Sequence, residues 1–216
     1  EMIAVAKEND VLLMEALWTY FLPHYQYVLT IFKTNKYGSL NKLEADFGFK
    51  ATYDLSSRLI KKEVGGGSLL DIGIYPIFVA LSTLGKPNNI EADALFFENG
   101  ADSECNMVFN YPNATAYLKS TLAADTKTEA IFTFKDAVVK INTMFHEPST
   151  VSIVQNGKEE IIDFDYTTIG YNYEAIHFNE LLRAGKKESP VMTFNFSLEL
   201  INHSFSNSTD LGQTLK

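Results

Sequence analysis

The sequence predicts an α+β fold: a large open, mostly antiparallel sheet with helices on one face, preceded by a short helix–strand unit of a different, α/β kind. Three observations lead there. Between residues 89 and 164, short alternating apolar segments follow one another across turn signals, the pattern of consecutive antiparallel strands. Helical apolar spacing is confined to the chain before and after that block. Near the start, Val11-Leu12-Leu13-Met14 is a continuous apolar run, the mark of a strand buried on both faces.

Residues 2–9 have no capping residue ahead of them and look like the last turns of a helix. Asn9-Asp10 makes a turn into the 11–14 strand. A buried parallel strand needs neighbours. Residues 1–17 are therefore expected to be the remnant of an α/β domain that precedes residue 1, with 18–216 forming a second domain. The alternative is that this strand joins the edge of the later sheet. Residues 23–35 predict a helix, with Leu22, Tyr25, Val28, Leu29 and Phe32 at helical spacing and Gly38 beyond its end. Residues 40–50 alternate as a strand that puts Leu43, Ala45, Phe47 and Phe49 on one face. Residues 69–84 predict a helix opened by Gly65-Gly66-Gly67 and closed by Gly85-Lys86-Pro87. Strands are expected around 89–98, 104–110, 114–123, 127–134, 136–142, 150–155 and 158–164. Asn156-Gly157 is the strongest hairpin signal among their turns. Helices at 171–184, ended by Gly185, and at 195–206 complete the chain. Such a sheet leaves one face uncovered, and its apolar alternation makes that face the expected interface of a homodimer.

Composition excludes several functions. The net charge is −9 and no basic run occurs, so neither nucleic acid nor an anionic membrane is an expected partner. The lone cysteine, Cys105, permits no internal disulfide and no thiolate zinc site; it suits a reducing compartment, and a cytoplasmic location is expected. No run approaches the ~20 uninterrupted apolar residues that span a bilayer. His24, His146, His177 and His203 share no metal-ligand spacing. They are expected to be surface or satisfied histidines, with no metal bound. The acidic pairs Glu159-Glu160 and Asp163/Asp165 are expected to be a solvated strand rim.

Three segments resemble the Gfo/Idh/MocA oxidoreductases, within them the dihydrodiol and xylose dehydrogenase branch. The first is Met14-Glu15-Ala16-Leu17-Trp18-Thr19-Tyr20-Phe21-Leu22-Pro23, similar to the family's crossover from its nucleotide-binding Rossmann domain. The second is Gly65-Gly66-Gly67-Ser68-Leu69-Leu70-Asp71-Ile72-Gly73-Ile74-Tyr75-Pro76, and it is the specific one. The third is Gly170-Tyr171-Asn172-Tyr173-Glu174. The family's Gly-x-Gly-x-x-Gly fingerprint and its Glu-Lys-Pro motif are absent from these residues. The resemblance makes residues 1–17 the tail of that Rossmann domain and 18–216 the substrate-binding and dimerisation domain.

The resemblance implies an NAD- or NADP-dependent dehydrogenase in the intact protein. It would move hydride to or from a hydroxyl or carbonyl carbon of a sugar or related diol. Tyr75 would carry the proton, with Asp71 orienting it from the same helical face. The tyrosine would serve best beside a cation, such as the family's lysine, that lowers its pKa. Trp18 and Tyr20 are placed near the nicotinamide, although Tyr20 stands where relatives commonly carry arginine. Phe47, Arg58 and Tyr171 are candidate substrate contacts. From the residues alone, Tyr75, Phe47 and Trp18 could equally be core, and Arg58 simply solvated. Gly65-Gly66-Gly67 could cradle a phosphate at a helix N-terminus or form a turn that passes close to substrate. Residues 1–216 by themselves are expected to be inactive. The alternative function is a non-catalytic regulator that senses a sugar or nucleotide on the same scaffold. A dimerisation piece alone is a blander possibility.

Overall fold

The computed structural model describes residues 1–211, with side chains as far as His203. The elements run α1 (Met2–Glu8), a 3-10 turn (Trp18–Phe21), α2 (Pro23–Thr34), β1 (Leu40–Gly48), a π-turn (Leu69–Gly73) and α3 (Ile74–Leu84). Seven strands follow: β2 (Asn89–Phe96), β3 (Asp102–Asn110), β4 (Thr115–Thr121), β5 (Ala130–Phe134), β6 (Val138–Ile141), β7 (Val151–Gln155) and β8 (Lys158–Ile162). Helices α4 (Tyr171–Arg183) and α5 (Phe194–Leu211) end the described chain.

All strands join one sheet in the order β2-β3-β4-β1-β5-β6-β7-β8. Two antiparallel meanders, β2–β4 and β5–β8, are held together by β1 at the centre. β1 runs antiparallel to β5 but parallel to β4, with Ala45 opposite Leu118. The mostly antiparallel sheet expected from the sequence thus includes this one parallel pair. A parallel pair needs a long crossover, and residues 49–114, which contain α3, supply it.

Alternation assigns each strand's two faces. Leu43, Ala45, Cys105, Met107, Phe109, Ala116, Leu118 and Phe132 are buried under the helices. Phe32 of α2 packs edge-on against Phe132 at 5.5 Å. In α3, Ile77, Phe78, Val79 and Ala80 are fully buried, and Gly73 lets the helix start press on β4. A Cβ there would sit 2.9 Å from Ser120 Oγ. The helical run Lys62–Leu84 is apolar enough by length and composition to cross a bilayer, but it is mostly buried within the fold, as a core helix is. The opposite face of the sheet presents Glu44, Asp46, Asn106, Tyr117 and Lys119, with Lys119 bonded to Glu104 at 2.8 Å.

Residues 11–14 form no strand. Val11 is 51% exposed, and the Leu13 N–H donates to the Lys187 carbonyl at 3.3 Å. Both the strand buried on two faces and the added sheet edge are thus corrected. Among the described residues no strand edge lies beside this segment to complete a ladder. Leu13 and Met14 instead line an open apolar cavity of about 560 Å³ with Met2, Ile3, Phe194, Leu198 and Ile201.

Candidate functional site

Five aromatic side chains from distant segments meet at one end of the sheet. Trp18 comes from the 3-10 turn, Phe47 from the end of β1 and Tyr75 from α3. His146 follows β6, and Tyr171 opens α4. The Trp18 indole N–H donates to Tyr75 Oη at 3.3 Å. Tyr171 stacks on Trp18 at 4.1 Å, and His146 stacks on Phe47 at 4.1 Å. Tyr75 lies 5.5 Å from Phe47 and 5.1 Å from His146 between ring centres. Gly170 makes the close approach possible. Its φ is +99°, and a Cβ there would sit 2.9 Å from Trp18 Cζ3 and 2.7 Å from Leu22 Cδ2, so only glycine fits.

The site is apolar and desolvated. Burial, first of all, raises the Tyr75 phenol above its ordinary value, and the nearby Asp71 and Glu174 charges add to this. Tyr75 is therefore a protonated donor at neutral pH. No cation in the described residues lowers it. Asp71 follows Gly67 by one turn, and the π-turn Leu69–Gly73 carries it, a local widening common at functional sites. Its Oδ1 pairs with Arg58 Nη1 at 2.6 Å; Asp71 is largely buried and Arg58 largely exposed. Two residues that the sequence suggested separately thus act on each other.

The glycine run makes no anion cradle. The amides of Gly65, Gly66 and Gly67 donate to the carbonyls of Lys62, Lys61 and Leu59. The next anion position is taken by the chain's own Asp102. Its Oδ2 accepts from the Leu69 N–H and the Ser68 hydroxyl, each at 2.7 Å. A Cβ on Gly67 would collide with that carboxylate. The close approach is to Asp102, and this explains the glycines without a ligand. The loop is thus closed to a phosphate by the chain's own carboxylate, while Trp18 and Tyr171 stack on each other.

Tyr20 is not brought into this cluster. It packs against Tyr25, Phe78 and Phe196 in a separate helix-side group. The sequence missed His146. It is neither a surface nor a satisfied histidine: it is 6% exposed, and its Nδ1 has no partner among the described residues. No spacing rule could have found it, because its cage neighbours Phe47 and Tyr75 lie tens of residues away. His24, by contrast, is buried and satisfied, with Nδ1 at 2.6 Å from Tyr166 Oη and Nε2 at 3.0 Å from the Phe145 carbonyl. Cys105 is a fully buried free thiol, and burial pushes its pKa up to about 12. Among the described residues no group of His, Cys, Asp or Glu is placed to hold a metal ion.

Comparison with known proteins places this geometry in a family. The chain is 33% identical over 204 residues to the trans-1,2-dihydrobenzene-1,2-diol dehydrogenase of Xenopus tropicalis, covering 89% of this chain and 61% of that protein. It is 30% identical over 205 residues to the scyllo-inositol 2-dehydrogenase (NADP(+)) of Bacillus subtilis, covering 92% and 62%. The chain thus spans about three fifths of the length of these relatives. Its fold matches the aldose-aldose oxidoreductase of Caulobacter crescentus, complexed with glycerol, with a TM-score of 0.83 at 18% identity over 97% of this chain and 65% of that one. Residues 25–149 match the family model of the GFO/IDH/MocA C-terminal domain, and the chain belongs to the Gfo/Idh/MocA family.

Proposed function

We propose that this chain is the substrate-binding part of an NAD(P)-dependent dehydrogenase acting on a hydroxyl or carbonyl carbon of a sugar, cyclitol or related diol. The observation that carries the reading is the Trp18–Tyr75 hydrogen bond inside an aromatic cage, in a chain whose relatives are named as dehydrogenases of a dihydrodiol and an inositol. The cofactor supplies hydride transfer. Tyr75 Oη holds the proton of the reacting hydroxyl, and Trp18 fixes the direction of that oxygen. Asp71, held by Arg58, steadies the start of the helix that carries Tyr75. The buried rings of Trp18, Phe47 and His146 exclude water from the reacting carbon. A cationic group from outside these residues is needed to bring the raised Tyr75 phenol into a useful range.

The nucleotide phosphates are assigned to residues outside this chain, because its glycine loop is already filled by Asp102. Residues 1–17 are assigned to the interface with that nucleotide-binding unit. Met2, Val5 and Val11 are exposed there, and the apolar cavity they adjoin suits a protein cover. Residues 1–216 alone are then inactive. The uncovered sheet face, with Tyr117 half-exposed among paired charges, is assigned to a homodimer. The free Cys105 fits a reducing, cytoplasmic setting.

The test is to mix the natural full-length protein with NAD+ or NADP+ and either scyllo-inositol or trans-1,2-dihydrobenzene-1,2-diol, and to follow nicotinamide reduction. Turnover with either substrate, lost in Tyr75→Phe, supports the reading. Cofactor binding without turnover of any polyol or diol would overturn it.

A further inference from the structure

His146 stands in the cage wall, yet neither the fold nor the reaction proposed above uses its free ring nitrogen. Nδ1 is shielded from solvent and has no hydrogen-bond partner among the described residues. Such atoms are uncommon in folded proteins and costly to keep. Nor is the residue loosely placed. Thr19 Oγ1 donates to the His146 carbonyl at 2.9 Å. The Phe145 N–H donates to the Thr128 carbonyl at 3.0 Å, and the Phe145 carbonyl meets His24 Nε2. A pinned backbone therefore delivers this imidazole onto Phe47, beside Tyr75 and 6.4 Å from Trp18.

The ring's proton can be placed by its neighbours. Burial pushes His146 down to about 4, aided by His24, so the imidazole is neutral near pH 7. Its Nε2 lies 3.4 Å from Glu147 Oε1; with a neutral ring this is no ion pair. A neutral ring that keeps its N–H on Nε2, toward that carboxylate, leaves Nδ1 as a lone-pair acceptor. A second orphan belongs to a residue whose charge acts on Tyr75. Glu174 Oε2 is also buried without a partner, one turn along α4 from Tyr171 and on the same helical face.

We infer that His146 is a specificity-determining residue: its Nδ1 accepts a hydrogen bond from a ring hydroxyl of the ligand, and the site favours a polyhydroxylated ring, a cyclitol or pyranose, over an arene dihydrodiol. An arene diol carries hydroxyls only around its reacting carbons, where Tyr75 is engaged. Its remaining edge is bare and leaves Nδ1 unpaired. A cyclitol carries a hydroxyl at each ring carbon and satisfies Nδ1 and Glu174 while another hydroxyl faces Tyr75. Tyr171 is the one cage ring that is mainly exposed, at 52%, and so forms the solvent side of the cage. The inference rests on the dehydrogenase reading for which hydroxyl reacts, but the binding preference is measured without turnover.

Calorimetric binding of scyllo-inositol and of trans-1,2-dihydrobenzene-1,2-diol to the natural full-length protein, with the reduced cofactor NADPH present so that neither alcohol can be oxidised, tests it. The wild type is expected to bind the inositol more tightly. His146→Phe keeps the stack on Phe47 and is expected to weaken inositol roughly ten- to a hundredfold while leaving the dihydrodiol within about threefold, the asymmetry of a lost polar contact. Equal losses on both ligands, or no loss on inositol, would overturn the inference. Should His146→Phe fail to fold, histidine nitrogen NMR of the wild type decides: saturating inositol is expected to shift the His146 Nδ1 resonance, and an unmoved resonance overturns the inference. Binding with this preference but without turnover would sink the dehydrogenase reading and leave the role of His146 standing.

Discussion

Trp18 and Tyr75 lie 57 residues apart in sequence, yet the indole N–H of one donates to the phenol oxygen of the other at 3.3 Å. The bond joins the first and second sequence motifs. Tyr75→Phe removes the acceptor and leaves a mostly buried N–H unpaired, at a cost of about 1–2 kcal/mol. The chain should still fold. If Tyr75 carries the proton, turnover by the full-length protein falls by roughly a hundredfold or more, with little change in cofactor affinity. Unchanged kcat would remove Tyr75 from the chemistry.

Gly170 ties the third motif to the first. Gly170→Ala puts a methyl 2.7 Å from Leu22 Cδ2 and 2.9 Å from Trp18 Cζ3, at a φ that disfavours alanine. A loss of about 2–4 kcal/mol is expected, the sum of strain and overpacking. Trp18 fluorescence should shift, because its stack with Tyr171 is displaced. A wild-type melting curve and spectrum together would contradict this packing.

Asp102 caps the helix start at Ser68 and Leu69. Asp102→Ala should cost about 1–2 kcal/mol, read as a lower urea midpoint. Substrate affinity should fall with it, since Asp71 and Tyr75 ride on the same turn. The cap would be disproved by a neutral midpoint.

Arg58 is 71% exposed on its side chain, so its pair with Asp71 adds under about 1 kcal/mol to stability. Arg58→Ala should leave the melting temperature nearly unchanged. It is expected to raise KM with kcat preserved, the pattern of binding lost equally from ground and transition states. A drop in kcat instead would make Arg58 part of the proton machinery.

His24 and His146 are both held near 4 by burial, against about 6.5 in an unfolded chain. Between those values the unfolded chain takes up protons that the folded chain refuses. The stability they contribute is therefore complete above pH 6.5 and is lost as pH falls toward 4. The full shift corresponds to roughly 3 kcal/mol for each histidine. Glu15 and Glu174, raised by burial, act oppositely: their contribution is present at low pH and is lost as pH rises through their folded values. Urea midpoints from pH 7 to 4.5 should fall, and His146→Phe should flatten that slope. A flat wild-type profile would mean that the two rings are not buried as neutral groups.

Much of the fold was legible. The alternation in residues 40–50 and 89–164 named the strands and which side chains face inward, because a period of two fixes the face of every residue. Asn156-Gly157 marked its hairpin, and Gly185 follows the end of α4. Period says nothing about neighbours, so the insertion of β1 between β4 and β5 was not legible. Nor could an apolar run such as Val11–Met14 reveal that, among the described residues, no strand edge lies beside it. In the site, Trp18, Tyr75 and Tyr171 were marked by motif resemblance and Phe47 by its strand face, and they do converge. Tyr20 was marked by the same means and packs elsewhere, since neighbours in a 3-10 turn point in different directions.

The sequence by itself determined the class of fold, the inward faces of its strands and the family to which its three motifs belong. These depend on local periodicity and on short runs whose chemistry is read within a few residues. Only the tertiary structure decided that Asp102 fills the glycine loop, that Arg58 answers Asp71 and that His146 stands unpaired in the cage. Those facts depend on contacts between segments that the sequence keeps apart, and such contacts exist only once the chain has folded.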